Sequence, residues 1–87
     1  MERHMSPIAR TPKQVGDIVR RYRLAQKHTQ EFLGKQVQLR QATISKLETG
    51  EPGTRLSTLF DVLTALDLEL VIRPRTKSST SDIEENF

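Results

Sequence analysis

Between Thr29 and Gly50 the run TQEFLGKQVQLRQATISKLETG holds six apolar side chains larger than alanine: Phe32, Leu33, Val37, Leu39, Ile44 and Leu47. This sparse spacing constrains the fold more than any other feature. Thr29 reads as an N-cap, and Phe32, Leu33 and Val37 give one apolar face over about two helical turns, with Glu31 near the positive end of the dipole. Val37-Gln38-Leu39 forms an apolar-polar-apolar corner. Polar residues resume at Arg40, and Ile44 and Leu47, three apart, anchor a further helix that Gly50 ends as a C-terminal cap. That helix is a polar strip with two anchors.

The flanks supply what these two short helices need to pack against. Thr11-Pro12 pairs an N-cap with proline at the first helical position, and Val15, Ile18, Val19, Tyr22 and Ala25 recur at helical spacing to about Lys27. Arg20, Arg21, Arg23 and Lys27 fall largely off that stripe. TGEPGT, residues 49–54, concentrates turn formers and is predicted as a loop. Leu56, Leu59, Phe60, Leu63 and Leu66 then predict a fourth helix, with Thr54 as a candidate cap and Asp67 as a stop.

Leu68, Leu70 and Ile72 alternate with Glu69, Val71 and Arg73 up to Pro74, a period of two that predicts one short strand. A single strand cannot satisfy its own backbone groups, and no second candidate exists in the sequence. Leu68, Leu70, Val71 and Ile72 are therefore predicted to pair with the same strand of a second copy in a homodimer. The alternative is that residues 67–72 extend the fourth helix or form a coil on the core. The fold class expected is all-α: a bundle of four to five helices with a short C-terminal strand pairing across a homodimer. Residues 1–10 read as a flexible arm, 11–74 as the folded domain, and 75–87, polar and acidic toward its end, as a disordered tail.

Charge is unevenly placed. Residues 1–50 carry ten Lys/Arg against four Asp/Glu, and residues 51–87 carry four against seven, so a net +3 divides into +6 and −3. A basic front half suits a phosphate-bearing partner, and equally a solvated helix face. The absence of cysteine excludes disulfides and thiolate metal sites. No apolar run approaches the roughly 20 residues of a membrane helix, and the first ten residues lack the apolar segment of a secretory signal. No membrane association and a cytoplasmic location are expected.

Two short helices joined by a tight corner within a basic half-chain describe a helix-turn-helix. Gln41, Ala42, Ser45 and Lys46 are left facing outward on its second helix. TQEFLGKQVQLRQATISKLETG resembles the helix-turn-helix of the lambda-repressor-like (Cro/C1, or Xre) family, whose pattern runs TQ-x-x-LA-x-x-x-G and then closes in IS-x-x-E-x-G. The resemblance covers about residues 13–66. Two departures stand out: Gly34 where a small alanine is usual, expected to be tolerated, and Gln38 at a turn position that is usually glycine. The second asks Gln38 to take a left-handed backbone at a cost of about 1 kcal/mol, unless the turn is built differently.

More narrowly, QATIS, the loop after it and the LSTLFDVLTALDLEL passage are similar to HipB-type antitoxins. That resemblance implies a homodimer that represses its own operon at a palindromic double-stranded DNA operator and binds a HipA-type serine/threonine kinase toxin, as one half of a type II toxin–antitoxin pair. The alternative is a stand-alone or phage-type repressor with no toxin.

Chemistry gives the residues their roles. Gln41 both donates and accepts, which matches adenine N7 and N6; Lys46 reaches guanine O6 or N7; Ala42 and the Thr43 methyl suit a thymine methyl; Ser45 can bond either edge. Thr29, Gln30, Arg40, Thr43 and Thr49 are placed to hold the DNA backbone. The same Gln, Ser and Thr residues would serve equally to cover a solvent-facing helix. Family alignment also pairs Glu48 with an arginine of the first helix, and Arg23 is the residue at that position. His4 and His28 have neither metal-ligand spacing nor a carboxylate partner pattern, and no glycine-rich phosphate loop or nucleophile elbow occurs. The expectation is a protein without catalysis, metal or cofactor.

Overall fold

The computed structural model describes residues 6–75, which form α1 (Pro12–Ala25), α2 (Gln30–Gln36), α3 (Gln41–Thr49) and α4 (Leu56–Ala65). Two helices start on threonine side chains: Thr11 Oγ1 accepts the Gln14 N–H at 3.1 Å, and Thr29 Oγ1 accepts that of Phe32 at 3.0 Å. Neither α3 nor α4 has a side-chain cap. Thr54, the predicted cap of the fourth helix, instead donates its hydroxyl to the Glu51 carbonyl at 3.2 Å and braces the loop.

All four helices end in the same way. At each end a residue takes a left-handed backbone, with φ of 62° at Lys27, 60° at Gln38, 87° at Gly50 and 62° at Asp67. Each of these residues bonds three residues back, and the next bonds five back: His28 N–H to Arg23 O at 3.1 Å, Leu39 to Gly34 at 2.8 Å, Glu51 to Lys46 at 3.0 Å, Leu68 to Leu63 at 2.8 Å. This paired closure satisfies carbonyls that would otherwise be orphaned. It is how Gln38 is accommodated: the strain of about 1 kcal/mol at a non-glycine residue is offset by two backbone hydrogen bonds.

Gly34 is accommodated, as expected, and the turn packs closely on it. A Cβ there would lie 2.5 Å from the Leu39 carbonyl oxygen. Gly16, which the sequence reading passed over, performs a similar service between helices: a Cβ would meet the carbonyl oxygens of Leu47 and Glu48, both at 2.5 Å. Both obstacles are backbone, so α1 and α3 could not keep their separation around an alanine.

Val19, Leu33, Ile44, Leu47, Val62, Leu63 and Leu66 make the buried core, with Val15, Tyr22, Val37, Leu39, Leu59 and Leu68 packed at its edge. Ala25 lies outside it, exposed, and Phe32, Leu56 and Phe60 keep much of their surface open, contrary to the predicted stripes. On α4 and its C-cap the burial falls on Val62, Leu63 and Leu66, so the face carrying Leu56 and Phe60 is turned away from the core. Residues 68–75 are neither helix nor paired strand. They do not extend α4, because Asp67 turns the chain. Leu68 packs on the core, whereas Leu70, Val71 and Ile72 are exposed, Ile72 to 89%. Among the described residues the predicted strand has nothing to pair with. The predicted C-terminal tail lies outside the described residues apart from Arg75, and of the predicted arm residues 6–10 are described; these are exposed and non-helical.

Candidate nucleic-acid interface

Helix α3 is fixed from below and open above. Ile44 and Leu47 are fully or almost fully buried, and Glu48 joins them although it is charged, at 4% exposure. Its neutralising partner is Arg23 of α1, 6% exposed, whose Nε and Nη2 donate to Glu48 Oε2 and Oε1 at 2.6 and 2.9 Å. Such a two-pronged pair satisfies both carboxylate oxygens in one geometry. The hydrogen bond it donates to Glu48 holds the Arg23 guanidinium above its already high ordinary pKa, against the opposing effect of burial. Arg23 Nη1 also donates to the His28 carbonyl at 2.8 Å, so one side chain ties the α1–α2 turn to the base of α3.

On the opposite face, Gln41, Ala42, Lys46 and Thr49 are exposed and Thr43 and Ser45 half-buried. Arg40 sits at the N-cap of α3 with no side-chain capping bond, leaving its guanidinium exposed beside the first turn. Thr49 donates its hydroxyl to the Lys46 carbonyl at 3.0 Å. Thr29 is exposed at the start of α2, and its oxygen is engaged as the helix cap. Every residue predicted to meet DNA therefore lies on α3 or at the start of α2.

Gln30 is the member whose position differs most from expectation. Its side chain turns inward: Nε2 donates to Glu48 Oε1 at 3.0 Å, and Oε1 accepts from Gln41 Nε2 at 3.3 Å. Sequence reasoning placed Gln30 with the backbone contacts and missed this bridge, for which residue spacing alone gives no signal. It also passed over Gly16; a glycine inside an otherwise periodic helix was the available clue. His28 packs edge-on against Phe32, ring centroids 4.6 Å apart, which accounts for part of the surface Phe32 does bury.

A model of the helix-turn-helix family matches residues 19–72, from the middle of α1 through all of α4. The chain belongs to this family. Among characterised relatives, this helix-turn-helix protein is 29% identical over 75 residues to antitoxin HipB of Escherichia coli strain K12, covering 86% of its own length and 85% of the relative's. Its fold is similar to that of a HipB variant solved as a complex with an O2 20mer, with a TM-score of 0.78 and 28% identity over 83% of this chain and all of that one. It is similar again to a chain of a HipA-HipB-O2-O3 complex, with a TM-score of 0.74 and 29% identity over 79% of this chain and 97% of that one.

Proposed function

We propose that the protein is a dimeric DNA-binding repressor that serves as the antitoxin of a type II toxin–antitoxin pair. It reads a palindromic operator in its own promoter and binds a HipA-type serine/threonine kinase toxin. The observation that carries the reading is the two-sided build of α3: an underside locked by Ile44, Leu47 and the Arg23–Glu48 pair, beneath a face offering Gln41, Ala42, Ser45 and Lys46. A helix of that build meets base edges in the major groove. Thr29, Arg40, Thr43 and Thr49 hold phosphates on either side and set register, with Gln30 contributing from the start of α2.

The likeness to HipB, solved with O-site 20mers and with HipA, supports both partners. Exposed Leu70, Val71 and Ile72 support the dimer, since pairing this segment with its symmetry mate would bury them and satisfy its backbone. Two copies would then present their α3 helices to successive major grooves about 34 Å apart. The reading assigns no catalytic, metal or cofactor role to any residue, and places the protein on operator DNA in the bacterial cytoplasm.

The test is whether DNA and toxin functions separate by residue. The protein is co-expressed with the kinase-like product of the adjacent reading frame and captured. Gln41→Ala with Lys46→Ala should leave capture of the kinase intact, while charge reversals among residues 56–87 should weaken it. A folded recognition-helix variant that loses the kinase contradicts the division, and failure of the wild-type protein to bind any such kinase favours a stand-alone repressor.

A further inference from the structure

The segment 68–73 is bounded at both ends as a pairing strand. Asp67 holds a left-handed backbone, φ 62°, which an extended ladder cannot include, and Pro74 has no N–H to donate. Between them Leu68, Leu70 and Ile72 fall on one face of an extended chain and Glu69, Val71 and Arg73 on the other. Leu68 packs on the core and so marks the inner face. Exposed apolar side chains gather around this segment: Ile8, Leu56, Leu70, Val71 and Ile72 all line one groove between the residues before α1, α1 itself and α4. Glu69 and Arg73 are exposed, and among the described residues the side chain of neither has a hydrogen bond or ion pair.

The occupant that fits this groove is the same segment of a second copy, and symmetry restricts how it can lie. For both copies to turn their leucine face inward, the twofold axis must cross the ribbon at right angles, and one residue of the antiparallel pair then faces itself. For the longest ladder within residues 68–73 that residue is Leu70 or Val71. Centring on Leu70 sets Glu69 against the partner's Val71 and leaves Arg73 opposite the partner's Asp67, beyond the end of the ladder. Centring on Val71 sets Glu69 against the partner's Arg73, twice in the dimer, and Leu70 against the partner's Ile72. From this charge match we infer that the two copies pair in register about Val71, and that the crossed pair of Glu69 with the partner's Arg73 selects the dimer partner. Opposite charges directly across an antiparallel pair are favourable and like charges unfavourable. A chain with like charges at these positions is turned away even where its apolar face fits. The inference rests on the reading of the protein as a dimer joined through this segment, and adds its register and its choice of partner.

The experiment refolds two differently tagged full-length chains together, Glu69→Arg and Arg73→Glu, at low salt and counts the dimers by native mass spectrometry. Each variant is first confirmed folded by thermal melt; both positions are exposed, so the helices should be unaffected. Alone, each variant sets like charges across the ribbon twice and should dimerise at least about 3-fold more weakly than wild type. Mixed, each introduced charge meets its opposite and both crossed pairs return. The mixed dimer should exceed its statistical share, its equilibrium constant against the two homodimers rising at least about tenfold. The chain carrying both Glu69→Arg and Arg73→Glu should recover wild-type dimer affinity. Glu69→Arg mixed with Arg75→Glu has the same net charges and should give close to statistical proportions.

Statistical mixing of Glu69→Arg with Arg73→Glu, while wild type dimerises, overturns the register and leaves the dimer standing. An equal preference in the Arg75→Glu mixture also overturns it, since overall charge or a shifted register would then be the cause. A wild-type chain that stays monomeric at every concentration reached removes the dimer reading, and the inference falls with it.

Discussion

Replacing Arg23 with alanine should destabilise the protein by about 3 to 5 kcal/mol, the usual consequence of leaving a buried charge without its partner. Glu48 would keep only the Gln30 amide as a donor, inside a site where Arg23 and Glu48 are both more than nine-tenths buried. The His28 carbonyl would lose its bond from Arg23 Nη1 as well. For a domain of this size, 1 kcal/mol corresponds to about 4 to 8 °C, so Tm should fall by at least about 12 °C. The pair itself need not add net stability: the double variant Arg23→Met, Glu48→Leu removes both charges and should recover most of the loss. The exposed pair Lys13–Asp17, at 3.3 Å on α1, is the internal control. Asp17→Ala should change stability by less than about 1 kcal/mol. A shift of a degree or less in Arg23→Ala would show that Glu48 is not held as a buried charge.

Operator affinity should fall by roughly 10³ to 10⁵ between 50 and 200 mM salt, given about 6 to 10 phosphate contacts across a dimer. Each phosphate neutralised by lysine or arginine releases condensed counterions, and salt opposes that release. Arg40, exposed at the first turn of α3, and Lys46, exposed in its last turn, stand in the half of the chain that carries the +6 charge. Titrating binding by fluorescence anisotropy at several salt concentrations gives the slope of log K against log salt directly. Arg40→Ala should reduce that slope by about 1 per subunit that contacts phosphate, with sequence preference retained. Affinity independent of salt would contradict the interface.

The four helices were legible because each carries local signals: Thr11-Pro12 and Thr29 at the starts, Gly50 and Asp67 at ends, and apolar side chains three and four apart. What spacing could not supply was the rotation of α4. Leu56 and Phe60 fit the same periodicity as Leu63, and only tertiary packing decides that Val62, Leu63 and Leu66 are the buried set. Phe32 stays half open for a similar reason, since α2 is only seven residues and Leu33 takes the core position. Gly16 acts across elements, against α3 backbone 31 and 32 residues away in sequence, where no local pattern reaches. In the interface, the types of side chain on α3 could be read from composition and period, but the inward turn of Gln30 depends on where Glu48 lies.

Base reading by α3 is tested most directly by one comparison: the ratio of operator to nonspecific DNA affinity for wild type and for Gln41→Ala with Lys46→Ala, at one salt concentration. Loss of two base contacts at about 1 to 3 kcal/mol each should lower that ratio by at least about 30-fold, with nonspecific affinity falling only by the share of one lysine. A variant that remains folded and keeps the wild-type ratio would contradict the assignment of α3.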